Sequence, residues 1–406
     1  MNNAIELVKV DAKGAKRRCR LSLESTIVVT AAGPDGKPLK SISKPFADES
    51  TAARAYDKAL RAKLRDGFAY VRDPAAAGVG DVVLRAFASS AGAGFLLDLS
   101  PDGRFAATVG SAAGLSSYWV ELVDIATGAR RTVLERSAGP RQGFVHAVLF
   151  DATTAALYLA ENETTLRLDL ATGAVTRVAG YREDAAARFN PFVVKPHFDR
   201  ARERLVVFDA GDRVRVLDAT GAAVFEVAVG SPTTECRAAG ISPSGKLLAL
   251  YRVSRGRVYG HADAMHDDTN LVEVWDVDAG TLRTTIALAD MLSAVGVDPA
   301  DGSLLVTREY AQGPVAYDLA TGAEQWRFDD PWRTDRLAEA HAWEFSPDGS
   351  LLAVGRASTA LYDAATRTEI PLAEPGGYQV PRVRFSADGA LLASAEHGAC
   401  VVRRVR

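Results

Sequence analysis

Residues 254–270, "SRGRVYGHADAMHDDTN", hold a dense group of chemically competent side chains. His261, Asp263, His266, Asp267 and Asp268 fall within eight residues. Imidazole and carboxylate are ligand types that divalent metals accept, so these five are the candidate metal ligands. Spacing along a loop does not gather ligands around one point, nor supply the partners that orient them. A polar, partner-facing loop is the plainer expectation. A second phrase, A-x-D-x-x-T-G-x-x-x-W, fits Ala316, Asp318, Thr321, Gly322 and Trp326. A third, "KGAKRRCR", sets Lys13, Lys16, Arg17, Arg18 and Arg20 together, and Lys58, Arg61, Lys63 and Arg65 follow further on. Such a group contacts phosphates or an acidic protein surface. No aromatic residue interleaves the basic run to stack a base.

Local catalytic phrases are missing. There is no G-x-S-x-G elbow, no Walker-type phosphate loop and no H-E-x-x-H. No residue stands out as nucleophile or general base, and the chain is expected to be non-enzymatic and to need no cofactor. The Asp318–Trp326 phrase resembles one repeat of the quinone-cofactor dehydrogenases. In that family the Trp recurs from blade to blade; after the other T-G turns of this chain it does not. The expectation is therefore a turn, in which Asp accepts backbone hydrogen bonds and Gly takes a positive φ, with Trp326 packing on a neighbouring blade.

The elements that would position these residues repeat. "LLDLSPDGRFAATVG", from Leu96, returns as "RAAGISPSGKLLALYR", "AVGVDPADGSLLVTRE", "AWEFSPDGSLLAVGR" and "VRFSADGALLASAE". Each reads as a strand, a tight polar turn and an apolar strand. A second phrase, as in "ELVDIATGAR" and "VAYDLATGAE", places its Asp at 124, 169, 218, 276, 318 and 363. A period in the forties with four strands per unit predicts propeller blades. Seven are expected, starting near residues 94, 143, 191, 236, 291, 340 and 380. The last has only three strands, and "VVLRAFAS" at 82–89 can supply the fourth and close the ring, hiding an open edge. This body resembles the WD-repeat propellers, although Trp-Asp is literal only at Trp275-Asp276, and His146 and His341 stand before inner strands without the family's Gly.

Residues 1–72 read differently: strands, a turn at "AAGPDGKP", then one helix over "DESTAARAYDKALRAKLRDG". Ser50 is the expected helix cap, and Ala53, Tyr56, Ala59, Leu60 and Leu64 the buried stripe. This head resembles a WGR domain, a small sheet with one helix known from the poly(ADP-ribose) polymerases. The resemblance spans about residues 3–72 and is strongest in "KSISKPFADESTAARAYDKALRAKLRDGFAYV". The namesake Trp-Gly-Arg, due near Val29–Ala31, is absent. In the polymerases the domain touches DNA and neighbouring domains.

Taken together, the fold expected is mainly β: a small α+β WGR-like domain (1–72), a small-residue linker (73–81), and a seven-bladed β-propeller (82–406) closed by an N-terminal strand. Apolar residues at 48% and charged residues at 24% are those of a globular chain with a large core. Residues 1–74 carry 15 Lys and Arg against 9 Asp and Glu, a net of +6, whereas the remainder is −9. A basic head on an acidic body implies two modules with different partners. Cys19, Cys236 and Cys400 are odd in number and far apart, which excludes a disulfide framework and fits a reducing compartment. The start does not read as a signal peptide, and no apolar run of about 18 residues occurs. The expected location is the cytoplasm, and the Ala/Arg/Gly/Asp-rich usage is of high-GC bacterial type.

The function expected is a protein-interaction scaffold, probed by Arg and aromatic side chains in loops. The candidates for partner binding are Arg141, Tyr181, Arg182, Phe189, Trp332, Arg333, Arg336 and Tyr378. Lys13, Lys16, Arg17, Arg18, Arg20, Lys58, Arg61 and Arg65 form the candidate patch for nucleic acid or an acidic partner. Two other readings stay open: a nucleic-acid-binding adaptor acting through residues 13–20, and a metal-dependent, lactonase-like hydrolase.

Overall fold

Alternating apolar and polar residues joined by short turns, most of them five residues long, build most of the described residues into antiparallel strands. The structure, a computed structural model, describes residues 3–11, 13–87, 96–111, 117–137, 145–161, 164–180, 197–199, 201–209, 213–229, 234–254, 270–288, 292–308, 314–327, 342–355, 359–373, 382–396 and 398–406.

Among these residues, six free-standing four-stranded sheets follow one another along the chain, over residues 96–137, 145–180, 197–228, 234–287, 292–327 and 342–370. Each is a meander whose strands pair in sequence order, the form of a propeller blade. Apolar side chains fill the gaps between blades. Tyr251, Val253 and Val272 of the fourth pack with Val295, Leu304 and Val306 of the fifth. The first and second join through Val120, Leu122, Phe150 and Leu157.

The repeated phrases are the turns of these sheets. Asp124, Asp169, Asp318 and Asp363 each accept the backbone N–H and the hydroxyl of the Thr three residues on. The glycines that follow, such as Gly173 and Gly322, sit at φ 73° and 72°. Trp326 meets the next blade through a cation: the Arg367 guanidinium lies 5.6 Å from its ring centre.

Seven separate blades are not found. Six stand alone, and the final strands, Val383–Phe385, Leu391–Glu396 and Ala399–Arg404, belong to a nine-stranded sheet. Ala399–Arg404 pairs with Val82–Phe87, Cys400 opposite Ala86 and Val401 opposite Arg85. Val82–Phe87 pairs in turn with Ala69–Val71, which pairs with Asn3–Val10, and the sheet continues through Lys16–Glu24 and Ile27–Pro34 to Lys40–Pro45. The merger has a simple cause. The outer edge of Val82–Phe87 offers unpaired backbone groups, and the short strand Ala69–Val71 takes them up.

The helix Glu49–Arg65 covers one face of the head strands. Asp48, not Ser50, caps it: its carboxylate accepts the Thr51 N–H at 2.7 Å and the Ser50 hydroxyl at 2.6 Å. These bonds hold the Asp48 carboxyl at about 2. Leu64, Tyr56, Ala59 and Leu60 pack inward as the periodicity implies, whereas the fully buried alanine is Ala52 rather than Ala53. This head core is shared. Leu7, Cys19, Leu21 and Phe68 pack together with Ala399 and Val401 of the C-terminal strand.

Candidate functional site

The first strand of each of the six blades, together with Val383–Phe385, lines one cavity of about 360 Å³ on the axis of the molecule. Inner strands meet there because the sheets are arranged radially, and side chains of one repeat position converge on the axis. That position lies two residues before the turn of the first repeated phrase. It is occupied by Asp98, Leu149, His197, Gly240, Gly296, Glu344 and Arg384. Four of the seven are ionisable, in a setting where the surrounding repeats supply apolar residues.

These groups form a charged lattice across the axis. Arg202 donates to both Asp98 oxygens, at 2.6 and 3.1 Å, and to the carbonyls of Phe150 and Leu99. Asp98 is fully buried and also accepts the Phe150 N–H at 2.7 Å. Arg384 lies 3.8 Å from Asp98 and donates to Glu344 at 2.8 Å. Glu344 in addition accepts the Phe385 N–H at 3.3 Å. The chain of contacts thus runs from the third blade to the first, then to the last strands and the sixth blade. Burial pushes the Glu344 carboxyl up, against the pull of Arg384. Burial also opposes the charge on Arg384, but Glu344 and Asp98 outweigh it and raise its pKa. His197 is pushed down to about 4, by burial first and then by Arg384 and Arg202, so it is neutral at pH 7.

Arg237 and Arg382 also line the cavity. Burial and the neighbouring Arg384 charge push Arg382 down to about 10. Two serines on the wall are turn elements. The hydroxyls of Ser346 and Ser386 donate to Asp348 and Asp388 and accept the N–H of Leu351 and Leu391. The arrangement can bind and orient charged groups in a partly enclosed, low-dielectric space, where each ion pair gains strength.

The residues singled out by sequence are placed unevenly. His261, Asp263, His266, Asp267 and Asp268 lie outside the described residues. So do Arg141, Tyr181, Arg182, Phe189, Trp332, Arg333, Arg336 and Tyr378. Among the described residues, no group of three or more His, Cys, Asp or Glu is placed to hold a metal. Burial raises the thiol of Cys19, and pushes that of Cys400 up to about 12.

The basic residues of the head are described, and they do not share one face. Cys19 and Leu21 point into the core under the helix. Strand alternation puts Arg18 and Arg20 on the opposite face, where Arg18 pairs with Asp35 at 2.9 Å and Arg20 stands opposite Glu6. Lys58, Arg61 and Arg65 are exposed on the helix, across the sheet from that pair. Lys13, Lys16 and Arg17 are exposed at one end of the strand. The axial lattice escaped the sequence reading, although its signal was present. Asp98, Glu344 and Arg384 each sit two residues before the serine of a near-identical phrase, so a charge at an otherwise apolar position could have marked them.

No family model and no curated protein matches the chain. Among solved structures 1272 chains match, a breadth that identifies a widely used architecture rather than an activity. One, from the "Crystal Structure of Mitotic Checkpoint Complex", superposes with a TM-score of 0.55 at 14% identity and covers 80% of this chain and 96% of its own. The fold is therefore a β-propeller. Among the described residues no helix is long and apolar enough to cross a membrane.

Proposed function

We propose that this protein is a non-enzymatic interaction scaffold, in which a rigid ring presents its axial cavity and rim to a protein partner. The observation that carries this reading is the axial lattice. Ionisable side chains from separate blades converge on one cavity, held by strands rather than by loops. Such pre-organisation lowers the entropy cost of docking. The solved neighbour comes from a complex of proteins, which accords with the same use of this architecture. In this reading the strands 383–404 with Val82–Phe87 act as a seventh blade that closes the ring. The WGR-like head, residues 1–72, docks a second partner through its basic residues.

The test is reconstitution. Partners captured by the full chain from its native cytosol are purified and titrated back by calorimetry. A one-to-one complex that weakens when Glu344 is replaced by Gln is expected. If no captured protein rebinds in purified form, the scaffold reading fails.

A further inference from the structure

The charges lining the axial cavity are unequally matched. Asp98 and Glu344 are held by Arg202 and Arg384. The third carboxylate, Asp199, is engaged by its own turn, accepting the backbone N–H groups of Glu203 and Arg204 at 2.8 and 3.1 Å. Arg382 has no such match. Among the described residues, the charge acting on it is that of Arg384, a like charge two residues away. Arg382 is half-buried in the lining of the cavity, and no carboxylate among the described residues pairs with it.

A second donor among the lining residues is unmatched. Trp343 lines the cavity, and its buried Nε1 has no hydrogen-bond acceptor among the described residues. The indole is seated deliberately: it lies over Gly296, where a Cβ would come within 2.6 Å of the ring. An unmatched buried donor costs about 1–3 kcal/mol, more when charged. Donors that lack acceptors among the described residues, in the lining of one cavity, describe a site for an acceptor that carries negative charge.

We propose that the axial cavity holds a binding site for a carboxylate group, received by the Arg382 guanidinium with the Trp343 indole N–H as a second donor. The Arg382 guanidinium, which has no carboxylate partner among the described residues, decides the chemistry. Its planar fork suits a planar carboxylate, which it binds through two parallel hydrogen bonds. A volume of about 360 Å³ accepts a small organic acid or one acidic side chain of a peptide, so the carboxylate has two sources. The inference rests on the cavity and not on the scaffold reading.

Calorimetry on the full chain separates these outcomes, with succinate, hexaglutamate, inorganic phosphate and succinamide as probes. Binding of succinate or of hexaglutamate is expected, with succinamide silent. Arg382→Gln is expected to weaken it about 10- to 100-fold, the range for a charged hydrogen bond, and Arg382→Lys less. Trp343→Phe is expected to weaken it to a smaller extent. Succinate binding assigns the site to a free acid, and hexaglutamate binding alone assigns it to a peptide. Arg382 gives up no ion pair on substitution, so the variant is expected to melt as cooperatively as the parent. Should Arg382→Gln not fold, Arg382→Lys and Trp343→Phe carry the test. Three results overturn the proposal: no carboxylate probe binds, binding is the same in the Arg382 and Trp343 variants, or phosphate binds more tightly than either carboxylate. A chain that rebinds a purified partner yet fails these tests keeps the scaffold reading and loses this site.

Discussion

Arg202 occupies a turn position that glycine holds in sibling turns. Gly103, Gly245, Gly349 and Gly389 adopt φ between 67° and 77° there, and Arg202 adopts 58°. A side chain in that region costs about 1–2 kcal/mol. The position nonetheless aims the guanidinium across the axis to Asp98, two blades away. Replacement by Gly relieves the strain but strands a buried carboxylate, and breaking a buried pair costs about 3–5 kcal/mol. Arg202→Gly is therefore expected to lower unfolding free energy by roughly 2–3 kcal/mol in denaturant titrations; an unchanged midpoint would remove the ion pair from the account of ring stability. His197 gives a pH signature at the same site. Its folded pKa of about 4 lies below the unfolded value near 6.5, so the unfolded chain binds the proton first. Its contribution is present above pH 6.5 and is lost as pH falls to 4, by up to about 3 kcal/mol. A pH series of melting temperatures is expected to drop less steeply over this window in His197→Gln. Arg384, Arg202 and Asp98, which face His197, stay in place in both proteins.

At the scale of elements, strand periodicity, turn chemistry and pairing within each repeat were legible, and side-chain contacts between blades were not. "SPDG" and "ATG" mark turns because Ser, Asp and Gly do local work there: Ser100 donates to Asp102, and Thr127 to Asp124. Local work leaves a local signal. What Asp98 meets depends on ring geometry, with Arg202 104 residues away, and no spacing rule reaches that far. Val82–Phe87 beside Ala399–Arg404 was expected, but the continuation of that sheet through Ala69–Val71 into the head was not. Those last strands carry a buried bidentate pair. Arg403 donates to both oxygens of Glu396, at 2.6 and 3.0 Å, while Thr359 of the sixth blade and Ser394 also donate to Glu396. Burial pushes the Glu396 carboxyl up, but the Arg403 hydrogen bonds and charge outweigh it and lower its pKa. Glu396→Ala leaves a fully buried guanidinium without its anion and is expected to cost about 3–5 kcal/mol. Denaturant titration checks this, and a loss below about 1 kcal/mol would mean that water replaces the carboxylate.

At the scale of the whole molecule, the strands of the head and the last strands of the chain share one nine-stranded sheet. Gly128, in a turn of the first blade, approaches the head sheet so closely that a Cβ would lie 2.9 Å from Ala69 and Val71. The segment between head and ring is bound along its length. Arg404 donates to the carbonyls of Pro74, Ala75 and Ala77, and Arg72 pairs with Asp81 at 2.6 Å. Removing residues 1–72 would uncover Ala399 and Val401, which the head core now buries, and would leave Val82–Phe87 as an open edge strand. A chain starting at residue 73 is therefore expected to melt several degrees lower than the full chain and to self-associate with rising concentration. Scanning calorimetry and light scattering read the two effects separately. Two independent domains would give a different outcome: two resolved transitions in the full chain, and a truncated ring that melts where the full chain's upper transition lies. One cooperative transition, lowered by truncation, would establish that the head and the propeller unfold as one unit.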